Sequence, residues 1–181
     1  MIIFAIHMKQ FFYVILSGLL FAFSWPDAGF YLFVFFAFIP LLILAENEKK
    51  SSSVFLYAFF SFLIFNIITT YWIYHATLFG AVSAFVINSL LMACAFYIFH
   101  KIKIATSSRF GNIAFIVVWI SMEFLHLNWD LSWPWLILGN VFANNVAIVQ
   151  WYEFTGFLGG SFWVLVVNLL LFRIFFLKQN R

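Results

Sequence analysis

Three ionisable side chains near the end of one apolar run are the residues best suited to chemistry in this sequence. Glu123, His126 and Asp130 are spaced three and then four residues apart, so a helix would carry them on one face. A carboxylate inside an apolar helix usually faces a bundle interior or a wet cavity, and a histidine can act as an acid or base near neutral pH. Proton transfer is the chemistry that this trio supports.

A structural role fits the same trio. In that interpretation, the three side chains form a polar cluster that ties their helix to Asn66, Thr69 or Asn88 on neighbouring helices. No nucleophile with an oxyanion-stabilising set is visible beside them, as a transfer site would require. Too few His and Cys residues lie outside the apolar runs to suggest a metal site. We therefore predict no catalytic residue, no metal and no cofactor, and we treat the trio as structural polar candidates.

The apolar runs that must position this trio identify the class of protein. Hydrophobic residues make up 66% of the 181 residues and charged residues make up 8%, against about 25% charged in a typical soluble domain. Such a chain has too little polar surface to cover a globule in water, which predicts an integral membrane protein. The basic residues lie at the ends of the runs, so they do not indicate a nucleic-acid partner.

Six apolar runs are candidates for membrane spans, since a helix needs about 20 apolar residues to cross the hydrocarbon. They cover residues 11–23, 28–45, 54–74, 81–99, 110–127 and 157–177. The prediction is one all-α membrane domain over residues 1–181, a polytopic transmembrane bundle of about six spans. The first run is short, and a crossing helix or a re-entrant hairpin with the second run fits it equally well.

The distribution of Lys and Arg gives the predicted orientation. With six spans, all nine Lys and Arg residues fall on one side of the membrane, and the positive-inside rule makes that side the cytoplasm. Both termini are then cytoplasmic. The outer loops keep Asp27, Asp130 and Glu153 as their formal charges.

Tryptophan is concentrated at the outer ends of the spans. Trp129, Trp133, Trp135 and Trp151 all lie in the outer segment 128–156. This segment is too long for a tight turn and too apolar to extend into water, so we predict that it forms short amphipathic helices on the outer leaflet. A lid that only covers the bundle and an aromatic belt at headgroup level fit the same residues.

Several short motifs occur in an order that resembles one known family. They are Ser24-Trp25-Pro26, Tyr71-Trp72-Ile73-Tyr74, Glu123-Phe124-Leu125 and Trp133-Pro134-Trp135-Leu136, followed by Gly139, Gln150, Gly156 and Asn168. In this order, the chain resembles the N-terminal membrane domain of apolipoprotein N-acyltransferase. The resemblance implies a multi-pass protein of the bacterial inner membrane. It also implies an enzyme that moves an acyl chain from a phospholipid to the N-terminal diacylglyceryl-cysteine of a lipoprotein.

The chemistry of that family belongs to a Glu–Lys–Cys set in a nitrilase-like domain, and the resemblance leaves that domain outside this sequence. Every Lys of the chain is predicted to lie across the membrane from the outer face, so residues 1–181 cannot assemble the set. We expect the chain to be inactive alone and to anchor a nitrilase-like domain that lies in a longer or a separate chain. The expected partners are membrane phospholipid, a lipoprotein substrate and that domain.

The same resemblance suggests which residues guide the lipid. The candidates are Trp72, Tyr74, Trp133, Pro134, Trp135, Gln150 and Trp151. Trp133 and Trp135 are expected to contact acyl chains or headgroups, and Pro134 is expected to fix the loop. Glu123 is expected to hold the helices in register. Two alternatives stay open: a non-enzymatic lipid-binding accessory or transporter-like protein, and an inactive truncated gene product.

Overall fold

Helices form nearly all of the regular structure in the computed structural model, which describes residues 2–130 and 132–177. The α-helices in this part of the chain are α1 (Ile2–Ser24), α2 (Val34–Ala37), α3 (Ile39–Asn47), α4 (Ser51–Thr70), α5 (Leu78–Ala105), α6 (Ser108–Leu127) and α7 (Tyr152–Phe172). No strand occurs within those residues. The predicted all-α class is confirmed.

Short 3₁₀ turns connect or extend these helices. They cover Tyr31–Phe33, Tyr71–His75, Pro134–Leu136, Leu138–Phe142 and Val146–Ile148, and a π-helical turn over Arg173–Leu177 continues α7. The turn at Tyr71–His75 directly continues α4. The outer segment 128–156 therefore contains three 3₁₀ turns where short amphipathic helices were expected.

Within the described residues, four helical stretches are long and apolar enough to cross a membrane. They are Ser51–His75, Leu78–Ala105, Ser108–Leu127 and Tyr152–Leu177. Two shorter apolar stretches, Met8–Ser24 and Tyr31–Asn47, correspond to the first two predicted runs. A helical membrane bundle is thus confirmed, and full crossings by the first two runs stay a prediction.

The second predicted run, residues 28–45, is broken at Phe38 instead of forming one continuous helix. The cause is Pro40, which has no backbone N–H and whose ring would collide with the carbonyl of Phe36 four positions earlier. As a result, α2 ends and α3 begins on either side of Phe38.

Asn168 of α7 satisfies the backbone groups that this break leaves open. Its Oδ1 accepts the Phe38 N–H at 3.0 Å, and its Nδ2 donates to the carbonyl of Val34 at 2.8 Å. Backbone polar groups at membrane depth must find partners within the protein because the hydrocarbon offers none. The Asn168 amide is both donor and acceptor, so it can supply both bonds.

Aromatic rings fill the bundle around the same break. The Phe38 ring is fully buried and meets the rings of Phe21, Phe115 and Trp119 edge-on, with centroids 4.7, 5.0 and 4.8 Å away. Edge-to-face contacts of this kind add to the free energy gained by burying the rings. They join α1 and α6 to the break, so the core is centred on Phe38.

Close helix contacts depend on small residues. Helix α4 packs against α1 and α5, α5 packs against α6, and α6 packs against α7. A Cβ on Gly18 of α1 would lie 2.7 Å from the carbonyl oxygen of Ser61 on α4. The Ser61 hydroxyl also donates to the carbonyl of Val14 at 2.9 Å. Small residues that let two backbones approach are typical of membrane helix interfaces.

The outer segment closes one end of the bundle. Leu138, Val141 and Phe142 are at most 1% exposed, whereas Val146 is 60% exposed. In a 3₁₀ turn, residues three apart lie on one side, which explains why Leu138 and Val141 both face inwards. This arrangement supports the interpretation of the segment as a cover over the bundle.

Candidate functional site

An open groove at the end of the bundle that segment 128–156 covers brings together three of the predicted lipid contacts. Its volume is about 510 Å³, within the usual range for small-molecule sites. Trp72, Pro134 and Trp135 line it, and Trp25 and Asp27 in the turn after α1 line it as well. The remaining lining residues are Pro26, Thr69, Thr70, Leu136, Asn140 and Ala143.

Trp72 and Trp135 form an aromatic pair beside this groove. Their ring centroids are 5.7 Å apart at an interplanar angle of 81°, and the residues are 44% and 56% exposed. Trp72 lies in the 3₁₀ turn that continues α4, and Trp135 follows Pro134, the first residue of its own turn. Proline presets the φ angle that opens such a turn. The pair offers apolar faces with an N–H at each edge, a combination suited to the boundary between acyl chains and water.

The polar side chains of the groove favour binding over bond breaking. Thr69 and Thr70 are buried, and their hydroxyls donate to the carbonyls of Phe65 at 2.7 Å and Asn66 at 2.6 Å. Each hydroxyl therefore has only acceptor capacity left for a ligand. Among the described residues that line the groove, Asp27 is the one ionisable side chain. This set contains no nucleophile with an adjacent base.

The outer segment reaches the groove from a position fixed by Glu123. The side chain is 3% exposed, and its Oε1 accepts the backbone N–H of Leu138 at 2.9 Å and the indole N–H of Trp119 at 3.0 Å. A loop that buries its backbone N–H groups needs acceptors for them, and a charged or polar side chain can be such an acceptor. Glu123 therefore joins α6 to the outer segment just after the Trp135 turn.

Gly139, which follows Leu138, is hydrogen-bonded to two side chains of α7. Its N–H donates to the hydroxyl oxygen of Ser161 at 3.0 Å, and its carbonyl accepts from the Tyr152 hydroxyl at 2.9 Å. A Cβ at this position would collide with the backbone carbonyl of Phe157. A glycine is needed here because the two backbones touch.

His126 belongs to a separate chain of hydrogen bonds. Its Nε2 lies 3.1 Å from Asn88 Oδ1, and Asn88 Nδ2 donates to Asn66 Oδ1 at 2.7 Å. Its Nδ1 accepts the indole N–H of Trp129 at 2.8 Å. Because an indole nitrogen only donates, Nδ1 carries no proton and Nε2 is the donor to Asn88. This chain links α6, α5 and α4 and supports the structural interpretation, with Thr69 outside it.

Asp130 does not join the other two members of the predicted trio. Helix α6 ends at Leu127, and Asp130 is exposed in the turn beyond it. Asn128 has left the helical conformation, with φ −113° and ψ 24°, and its side chain donates to the carbonyl of Phe124 at 2.6 Å. An Asn side chain competes for the backbone in this way at helix ends. The expected shared face therefore stops before Asp130.

The other predicted lipid contacts lie outside the groove. Tyr74 is exposed, Gln150 bonds its own turn through the carbonyl of Val146 at 2.9 Å, and Trp151 donates to the carbonyl of Ile148 at 3.1 Å. Trp133 borders a small cavity next to Glu123 instead.

Sequence reasoning missed the groove residues in the turn after α1. Trp25 was noted only as part of a motif and Asp27 only as a loop charge, so neither was predicted to line a lipid site. What brings this turn to the groove is a distant contact, since Asn144 Nδ2 donates to the carbonyl of Pro26 at 3.0 Å. The usable signal was a charge, Asp27, two residues after a tryptophan, Trp25.

Comparisons with known proteins give matches over nearly the whole chain. The model of the apolipoprotein N-acyltransferase N-terminal domain family matches residues 17–170. An apolipoprotein N-acyltransferase of Chlorobaculum tepidum is 31% identical over 175 residues, which cover 95% of this chain and 33% of the relative. One of Geobacter metallireducens is 28% identical over 179 residues, covering 94% and 34%. The chain spans about a third of the length of these curated relatives. No solved structure matches it.

Proposed function

This chain belongs to the apolipoprotein N-acyltransferase N-terminal domain family, and we propose on that premise that it is the membrane domain of an acyltransferase and binds phospholipid acyl chains in the outer groove. The observation that carries the proposal is the groove itself, where Trp72 of one motif pairs with Trp135 of another. The groove is aromatic, open and without catalytic groups, as a guiding surface requires.

The reaction that the groove serves is acyl transfer to a lipoprotein. A nitrilase-like domain, in a longer or a separate chain, supplies the Glu–Lys–Cys set, and this membrane domain anchors it and delivers the lipid. The two named relatives support this assignment, because both are apolipoprotein N-acyltransferases and are about three times as long as the chain. The substrates are a membrane phospholipid and the N-terminal diacylglyceryl-cysteine of a lipoprotein.

The protein spans the bacterial inner membrane several times, with the groove on its outer side. Charge supports this orientation: Lys103, near the end of α5, pairs with Glu46 at 2.6 Å, while Trp72 and the groove lie near the beginning of α5. Over its 28 residues, α5 extends about 42 Å, enough to place the basic residues and the groove on opposite sides of the membrane.

Lipid binding is tested on the chain itself in a bilayer nanodisc. A phospholipid with a photoactivatable group on one acyl chain should label peptides of the groove, such as the one that contains Thr69 and Thr70. Peptides with Phe124 and Leu125, which are exposed on α6, report the background labelling by bulk lipid. Trp135→Ala should lower groove labelling several-fold relative to that background, and Phe154→Ala should leave it unchanged because Phe154 is 86% exposed and outside the groove lining. Equal labelling in both variants refutes the proposed binding site.

Acyl transfer is tested in a hybrid enzyme. The chain replaces the matching third of the Chlorobaculum tepidum relative, in a bacterium whose own enzyme is depleted, and mass spectrometry measures N-acylated lipoprotein. We expect restored N-acylation that Trp135→Ala reduces and Phe154→Ala does not. A hybrid that inserts normally but restores none would favour a non-enzymatic lipid-binding protein.

A further inference from the structure

A small cavity lies between α6 and the outer segment. Its volume is about 10 Å³, close to the minimum that holds one water molecule. Asn88, Glu123, His126 and Trp133 are among the residues that line it. It is distinct from the groove, although Leu136 borders both.

Two buried polar atoms at this cavity have no hydrogen-bond partner within the described residues. They are Oε2 of Glu123 and Nε1 of Trp133. Glu123 is only 3% exposed. Its other carboxyl oxygen, Oε1, already accepts the N–H groups of Trp119 and Leu138. Buried polar groups are nearly always paired in native proteins, so two open atoms beside one cavity indicate a shared partner.

We propose that this cavity is a binding site for a single water molecule that bridges Trp133 and Glu123. The water accepts the indole N–H of Trp133 and donates one hydrogen to Oε2 of Glu123. A protonated carboxyl group would also serve, because water can accept as well as donate. The size of the cavity excludes a larger ligand. Its two unpartnered polar atoms, an N–H donor and a carboxyl oxygen, favour an occupying water over the dry state that purely apolar cavities prefer.

Asn88 lines the same cavity, and its amide, with one N–H already bonded to Asn66, offers the third partner that buried waters usually have. Through such a bond, the water joins two systems that are otherwise separate in the described structure. One is the attachment of Leu138 to Glu123, and the other is the chain that runs from His126 to Asn88 and Asn66. The water thereby ties the segment that precedes Trp135 to helices α4 and α5. This inference does not depend on acyl transfer.

The bridge is tested by a crystal structure of the full chain at a resolution better than about 2 Å. We expect one density peak at hydrogen-bonding distance, about 2.7–3.2 Å, from both Nε1 of Trp133 and Oε2 of Glu123. A cavity without density, or a direct bond between the two side chains, would overturn the proposal.

A matched pair of variants separates the bridge from a water held by Glu123 alone. Trp133→Phe removes the N–H and keeps an aromatic ring. Trp163→Phe is the control, because that ring packs against Phe35 and Phe142 and does not line the cavity. The peak should persist in the control and lose at least half its occupancy in Trp133→Phe, and an undiminished peak would contradict the bridge. If Trp133→Phe does not accumulate, cross-relaxation between the Trp133 indole N–H and water in the wild type decides, and its absence counts against the site.

Discussion

Replacing Glu123 by Ala should destabilise the bundle far more than replacing it by Gln. Alanine removes the oxygen that accepts from Leu138 and Trp119, and it leaves two buried donors without partners. Each such donor costs about 1–3 kcal/mol, so the loss sums to about 2–6 kcal/mol before any cavity is counted. Glutamine keeps a carbonyl oxygen that can accept both bonds and nearly the same volume, so the change should be within about 1 kcal/mol.

Thermal unfolding in a mild detergent measures the difference. For a chain of this size, 1 kcal/mol corresponds to about 2–4 °C in Tm, so the lower limit for Glu123→Ala is a drop of about 4–8 °C. Glu123→Gln should stay within about 4 °C of the wild type. Unfolding of membrane proteins is often irreversible, so one scan rate is kept for all variants. Two results would refute the reasoning: a Glu123→Ala protein as stable as the wild type, or a Gln variant as damaged as the Ala variant.

Four further substitutions test other contacts by the same unfolding assay. Asn168→Ala should lower stability by about 2 kcal/mol or more, because the Phe38 N–H loses its partner at membrane depth; a Tm equal to that of the wild type would contradict this. Gly139→Ala should cost about 1–3 kcal/mol through collision with the Phe157 backbone, and unchanged Tm would mean that the two backbones can separate freely. Asn88→Ala should lower stability by about 1–3 kcal/mol, because His126 Nε2 loses its partner. Asn144→Ala removes a hydrogen bond from an exposed amide and should change stability by at most about 0.5 kcal/mol. Equal losses in the two variants would refute the expected order of their effects.

The class of the fold could be predicted from the sequence because it depends on composition and on the length of the apolar runs. Uncharged apolar runs long enough to span a bilayer must become helices, since no other open structure satisfies its backbone there. The break at Phe38 was partly visible, because Pro40 forbids a continuous helix. Its partner was not visible, since Asn168 lies 130 residues away and only the packing of α7 brings it to the break.

The groove could also be predicted only in part. Some of its residues stand out in the local sequence, whereas others are brought to it by contacts between distant parts of the chain. Trp72 and Trp135 were identified from motifs, and Glu123 from the cost of a carboxylate in a span. The placement of Asp27 could not be derived, because it depends on how the outer segment folds. That segment holds short apolar runs, for which periodicity alone does not determine the secondary structure.

The bond between Asn168 and Phe38 also constrains how the protein is made. A ribosome adds about 5–20 residues per second, so the 130 residues between the two take about 6–26 s to synthesise. During that time the carbonyl of Val34 and the N–H of Phe38 lack their Asn168 partner, so these two groups, four residues apart, must bond to each other or to water until α7 arrives. The arrangement around Phe38 can therefore be completed only after the last helix has been made.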